Sequence, residues 1–179
     1  MIFATIGTQL PFDRLIAALD SWAAHNLDVP ITAQVGSTSR QFQHLNTVAS
    51  MPQNEFRRHF QAASLVIGHA GMGTILSAAE LGKPLIVMPR LAKFGEHRND
   101  HQQDTAREMA RLSHVTVVEN DEELHTALDI ALAQSFTMLP ASAIEAEASA
   151  ALLVALRDFV WTTDSGAANE APQADRSVA

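Results

Sequence analysis

The sequence contains no cysteine. Disulfide scaffolds, Cys-ligated zinc and thiol nucleophiles are therefore excluded, and the composition fits a cytoplasmic home without requiring one. Basic residues are scarce, with 12 Lys and Arg against 20 Asp and Glu and a formal charge of −8. That balance argues against nucleic acid as a partner through broad phosphate neutralisation, while leaving room for one local basic patch. No basic segment precedes the first apolar run, the first charged residue being Asp13, so no signal peptide is expected. No stretch of about 18 residues is free of polar interruption, which argues against a membrane span. Membrane contact is expected to be peripheral, through a partner.

What is present, in 179 residues that are 47% apolar, suffices to bury one sizeable core. Residues 1–162 read as one domain, and residues 163–179, which lack large apolar side chains apart from Val178 and are mostly Ala and polar residues, as a disordered tail. Short apolar runs predict strands at Met1–Ile6, Ile31–Val35, Leu65–Gly68, Leu85–Pro89 and Val115–Val118, with a weaker one at Thr47–Met51. Helical spacing predicts helices over Leu10–Ala24, Asn54–Ala63, Gly73–Leu81, residues 99–112, Asp121–Ala133 with Asn120 as its cap, and Ser142–Val160. Strands alternating with helices give the α/β class, an open, mostly parallel sheet covered on both faces. Ligands of such sheets sit at the carboxyl ends of the strands, so the informative loops follow Ile6, Val35, Ile67 and Met88.

The oddest residues fall in those loops. Gly68-His69-Ala70-Gly71-Met72-Gly73-Thr74 follows a strand and opens a helix, where missing Cβ atoms and the helix start favour an anion, naturally a phosphate. It is no Walker A loop, since no Gly-Lys-Ser/Thr closes it, and Leu76 stands where a dinucleotide fingerprint needs its third glycine. The same glycines also suit a tight turn with close helix packing, and the residues alone leave both readings open. His69, inside the turn, either bonds to neighbouring backbone or lies near the diphosphate.

Beyond the next strand, Arg90, Lys93 and Arg98 make a basic cluster in an acidic chain, a set of cations for a phosphate or a carboxylate. Asn99, Asp100, His101, Gln102 and Gln103 follow, and such amides and carboxylates can both donate to and accept from the hydroxyls of a sugar. His97 and His101 are four apart, but Arg98 stands where an HExxH motif has its Glu and no third ligand appears, so no metal is expected. Glu80, at the end of its predicted helix, needs either a ligand hydroxyl or a neighbouring cation.

The segments IFATIGTQLPFDRLI, GHAGMGTILSAAELGKPLIVMPR and GEHRNDHQQDTA together resemble the C-terminal, donor-binding half of glycosyltransferase family 28. The likeness is strongest to the small single-domain donor subunits of two-component transferases, the bacterial exopolysaccharide PssE type and the dolichol-pathway N-acetylglucosaminyltransferase type. The resemblance implies a Rossmann-like fold equivalent to the C-terminal half of a GT-B enzyme, with a UDP-sugar as substrate and no cofactor or metal. It assigns Gly71, Met72, Gly73 and Thr74 to the diphosphate, Gly7 and Thr8 to the first turn facing the phosphates, and Asp100, Gln102 and Gln103 to the hexose; His69, inside the glycine turn, is the further diphosphate candidate, and Asn99 and His101 the further sugar candidates, from their position in the sequence. Met51 and Pro52 fall in the loop that touches the base; the ribose position falls at Ser77, with Glu80 one turn away.

One lobe of such an enzyme holds the donor, and inverting transfer needs a facing lobe that carries the acceptor and a general base. A chain of this length is expected to lack that lobe. The expected partner is a membrane-attached acceptor-binding subunit that recruits the chain to the cytoplasmic face of the membrane, with a lipid-linked saccharide as acceptor. Apolar Leu152, Leu153, Leu156, Phe159 and Val160 make the last predicted helix either a docking element or a cover for its own sheet. Two further readings are a self-sufficient homo-oligomeric transferase and a non-catalytic nucleotide-sugar-binding subunit.

Overall fold

The computed structural model describes residues 1–8 and 10–134; the predicted helix over Ser142–Val160 and the predicted tail lie outside the described residues. Six strands and their helices follow in order, with a helix after every strand but β2: β1 Ile2–Thr5, α1 Asp13–Ala23, β2 Ile31–Gln34, β3 Asn46–Val48, α2 Gln53–Ala62, β4 Leu65–His69, α3 Met72–Glu80, β5 Leu85–Met88, a 3-10 turn Ala92–Phe94, α4 His101–Met109, β6 Val115–Val117 and α5 Asp121–Ala133. The strands form one sheet in the order β3-β2-β1-β4-β5-β6, and every neighbouring pair is parallel. This is the expected Rossmann-like sheet.

Strand periodicity divides the core in two. Ile2, Ala4, Ile67, Ile86 and Met88 point to the face covered by α1 and α5, where Leu15, Leu19, Leu124 and Leu128 are buried. Their sequence neighbours Phe3, Val66 and Val87 point to the other face, against Phe60 of α2, Ile75 of α3 and Met109 of α4. Because both faces are covered, the strands read as continuous apolar runs rather than alternating ones.

Three boundaries differ from the expected ones, each for a local reason. The third strand ends at Val48 because the chain turns at Met51 into Pro52, whose φ of −59° opens α2. The helix expected from residue 99 begins at His101, because the Asp100 carboxylate turns back to accept from Ala92 N at 2.8 Å. Its other end stops at Met109 and passes into a turn closed by Leu112 N on Met109 O. Among the described residues no helix is long and apolar enough to cross a membrane.

The start of α5 is held by a reciprocal cap. Asn120 Oδ1 accepts from Glu123 N at 2.9 Å while the Glu123 carboxylate accepts from Glu119 N and Asn120 Nδ2. Asn120→Ala should cost about 1 kcal/mol. The check is a lower urea midpoint with an unchanged m-value; an unshifted midpoint would show that α5 does not depend on this cap.

Candidate functional site

A cleft of about 620 Å³ opens at the carboxyl ends of the strands. It lies where β1 feeds α1 on one face of the sheet and β4 feeds α3 on the other, the switch point at which open sheets bind ligands. Its floor is polar. Thr5 and Gln34 are register partners ending β1 and β2, and Thr5 Oγ1 donates to Gln34 Oε1 at 2.7 Å while accepting from Gly7 N at 3.3 Å. With its oxygen occupied, Gln34 has its NH2 left for a ligand.

The glycines divide into two kinds. The His69 imidazole is wedged between two turns: a Cβ on Gly7 would lie 2.7 Å from its Cε1, and one on Gly71 would lie 2.2 Å from its Nε2. Gly7 also has φ +74°, a conformation that L side chains rarely adopt. Those two glycines are explained by packing inside the protein. Gly73, by contrast, has nothing among the described residues within 4 Å of the position a Cβ would take, although it lies in the first turn of α3 and lines the cleft. There the amides of Met72 and Gly73 stand ahead of the first intrahelical bonds, and no side chain among the described residues caps them.

Burial lowers the His69 pKa to about 4, helped by the nearby Arg90 charge and only partly opposed by the Thr5 backbone. Its Nδ1 is buried without a hydrogen-bond partner among the described residues. The imidazole is therefore neutral near pH 7 and offers the cleft a hydrogen bond, not a charge.

Arg90 is 2% exposed and carries the loops that build the cleft. Its guanidinium donates to the carbonyls of Ile6, Leu10 and Pro11 in the first turn and to that of Glu96 in the loop after β5, at 2.6 to 3.0 Å. Its backbone N donates to Gln102 Oε1 at 3.1 Å, and its ring neighbour is Phe12, 4.8 Å away. Burial lowers its pKa to about 10, against the upward pull of Glu96, so it stays charged at neutral pH. A second arginine completes the frame: Arg14 of α1 grips the Glu96 carboxylate through Nε and an NH2, both at 2.9 Å, and donates to the Pro89 and Glu119 carbonyls.

The residues singled out from the sequence separate accordingly. Gly7, Thr8, His69, Gly71, Met72, Gly73, Met51 and Gln102 line the cleft, whereas Thr74 is buried beneath it with Cγ2 against Gly68. Pro52 opens α2 beside Met51. Ser77 Oγ donates to Gly73 O at 2.8 Å, and Glu80 pairs with Arg57 at 3.3 Å, the neighbouring cation rather than a ligand. Arg90 is committed to backbone carbonyls, Arg98 is exposed, and Lys93 lies over the Phe94 ring outside the cleft. Asn99, Asp100 and His101 stand exposed at the rim, where Asn99 Oδ1 bonds His97 Nδ1, and Gln103 borders a neighbouring hollow. His97 precedes α4, so it and His101 do not form a helical pair; among the described residues no three metal-ligating side chains cluster.

Sequence reasoning missed Thr5, Gln34, Phe12, Arg14 and Glu96. Thr5 and Gln34 had a signal, polar residues at the ends of two otherwise apolar strands. The Arg14–Glu96 pair, 82 residues apart, had none.

A profile of the glycosyltransferase family 28 C-terminal domain matches residues 1–155. The chain belongs to that family. Over 80 residues this family 28 domain is 36% identical to the UDP-N-acetylglucosamine transferase subunit ALG13 of Eremothecium gossypii, a match covering 44% of the chain and 37% of that relative. Its fold is similar to the glycotransferase of kitacinnamycin, with a TM-score of 0.64 at 15% identity over 90% of the chain and 42% of that structure. It is also similar to the NMR structure of ALG13, with a TM-score of 0.54 at 20% identity over 74% of the chain and 85% of that structure. The domain thus spans less than half the length of the first two and has the Rossmann-like fold of a GT-B C-terminal half.

Two outcomes are expected. The His69 pKa falls on folding, so the unfolded chain takes up the proton first as pH drops; the stability due to neutral His69 is complete above about pH 6.5 and is lost toward pH 4. His69→Gln should remove on the order of 3 kcal/mol from the stability difference between pH 7 and pH 4, read by urea unfolding at both. Arg90→Met leaves four carbonyls without donors and should destabilise the fold by about 3 kcal/mol or more; a midpoint within error of the parent would refute the clamp.

Proposed function

We infer that this domain is the donor-binding subunit of an inverting two-component glycosyltransferase. It holds a UDP-sugar in the cleft and, with a membrane-attached acceptor-binding subunit, transfers the hexosyl group to a lipid-linked saccharide in exopolysaccharide or glycolipid assembly at the cytoplasmic face of the membrane. The observation that carries this reading is Gly73, a glycine in the first turn of a cleft-lining helix with open space where its side chain would be. Missing bulk that no protein atom requires is what a diphosphate needs to approach the helix N-terminus.

The rest of the cleft supports the reading. Neutral His69, the Met72 and Gly73 amides and the Gln34 and Gln102 NH2 groups all donate, which suits an oxygen-rich anion. In the transfer, an acceptor hydroxyl attacks the anomeric carbon, the bond from that carbon to the diphosphate breaks, and the departing charge is stabilised by the helix start. The proton of the hydroxyl must go to a base. Glu96 has both carboxylate oxygens engaged by Arg14 and Leu91 N, and His69 is held below the range of a base poised near pH 7. A base on the facing subunit fits that arrangement, as does the description of the ALG13 relative as a subunit.

Calorimetric titration with UDP and with UDP-glucose, UDP-galactose, UDP-glucuronic acid and UDP-N-acetylglucosamine tests the cleft. Gly73→Ala should weaken UDP at least about tenfold, while thermal stability holds or rises because Ala favours a helix by about 0.5–1 kcal/mol over Gly. Absence of nucleotide binding even with the partner, or equal binding by the variant, would refute the assignment. Sustained turnover by the isolated chain would refute an obligate partner.

A further inference from the structure

Four large apolar side chains stand exposed among the described residues: Leu10, Leu27, Phe94 and Ile130. Leu10 lines the cleft and Phe94 the hollow beside it, and Leu27 sits in a turn after α1, between Asn26 and Asp28. Ile130, 52% exposed, differs in lying on a regular helix, α5, one turn before that helix ends at Ala133. It lines a groove of about 510 Å³ between α5 and β6, with Val117, Val118 and Ala127 beside it and Glu122 and Glu123 among the polar residues. β6 is the last strand of the sheet and pairs, among the described residues, with β5 alone, so the groove runs beside an open sheet edge. Such an edge is a template for other chains, and folded proteins cover it.

The chain that leaves α5 supplies a matching surface. Residues 135–179 follow, outside the described residues, and among them the sequence predicts a helix over Ser142–Val160. At about 100° per residue, Leu152, Leu153, Leu156, Phe159 and Val160 of that helix fall within one stripe about 120° wide, with Arg157 and Asp158 outside it. A stripe of that width is what a helix turns toward a core, and it needs an apolar surface to lie on. Arg157, the one cation between Ser142 and Val160, flanks the stripe and is opposite in charge to Glu122 and Glu123. The connection of residues 135–141 reaches about 23–25 Å when extended, more than the length of α5 at about 1.5 Å per residue, so the stripe can return over the groove. The family profile also runs to residue 155, which counts part of the segment with the domain itself.

We propose that the groove between α5 and β6 is the seat of this chain's own segment Ser142–Val160, whose apolar stripe covers Ile130, Val117 and Ala127 and lies along the β6 edge. The segment is then a cover for its own sheet, and a partner subunit is met by other surfaces of the domain. It leaves the cleft open, because the groove and the cleft have no lining residue in common. This inference does not depend on what the cleft binds.

The test uses the full chain with labelled Ile, Leu, Val and Phe side chains, observed by NMR. Nuclear Overhauser contacts are expected from the Ile130 and Val117 methyls to Leu152, Leu153, Leu156 or Phe159. A mixture of labelled and unlabelled chains, filtered for contacts between molecules, should show none of them. Ile130→Glu should remove these contacts and speed amide hydrogen exchange across residues 152–160 at least about tenfold, with the amide shifts of β1 to β5 unchanged. Leu156→Asp, on the other side of the same contact, should speed that exchange as well and shift the Ile130 and Val117 methyls; it decides the matter if Ile130→Glu disturbs the sheet. Absence of the contacts, or exchange that both variants leave as it was, would overturn the proposal. Contacts found between molecules and not within one would overturn it in favour of a second copy on the groove.

Discussion

Arg90 joins parts of the chain that lie about 80 residues apart, and the cleft exists because they are joined. Four backbone carbonyls that the first turn and the loop after β5 leave outside regular structure converge on one guanidinium. Buried carbonyls without donors would be costly, and a buried guanidinium without acceptors more so, so each requires the other. A lysine has three donors and no planar fork, and would not satisfy the same set. Arg14 repeats the device one layer out, fixing Glu96 and through it the loop that carries His97 to the cleft. Phe12 lies within cation–π distance of both guanidinium groups.

On this frame the same small residue serves two ends. Gly7 and Gly71 are glycine because the His69 ring occupies the space of a side chain, and the ring's burial there holds it neutral. Gly73 is glycine beside empty space. A turn built for packing alone would have no use for the third, and that asymmetry is what supports the proposed diphosphate contact at the helix start.

The site's electrostatics follow from which groups the protein keeps engaged. Glu96 is neutralised by Arg14, Gln34 and Gln102 have their oxygens occupied, and His69 is uncharged, so the cleft faces its ligand with hydrogen-bond donors and a helix start. Past the Arg14–Glu96 pair, Glu119 and Asp121 have no side-chain hydrogen-bond partner among the described residues and stand near the exposed Phe94 ring.

Most of the architecture was legible in residue order. Apolar runs at Ile2–Thr5, Leu65–His69 and Leu85–Met88, broken by glycine or proline and separated by helical spacing, determine a parallel sheet with covered faces, because period and burial are local properties. The glycine turn after β4 marked the cleft for the same reason, and the segments that begin at Ile2, Gly68 and Gly95 carried the family. Tertiary structure alone decided what the charged and amide residues do. Arg90 resembled a ligand cation until three carbonyls about 80 residues away, and that of Glu96, filled its donors, and Gln102 and Gln103, neighbours in the chain, turn to different hollows because α4 rotates about 100° per residue. Hydrogen bonds between residues 80 positions apart depend on how the loops return over the sheet, and no local pattern encodes that.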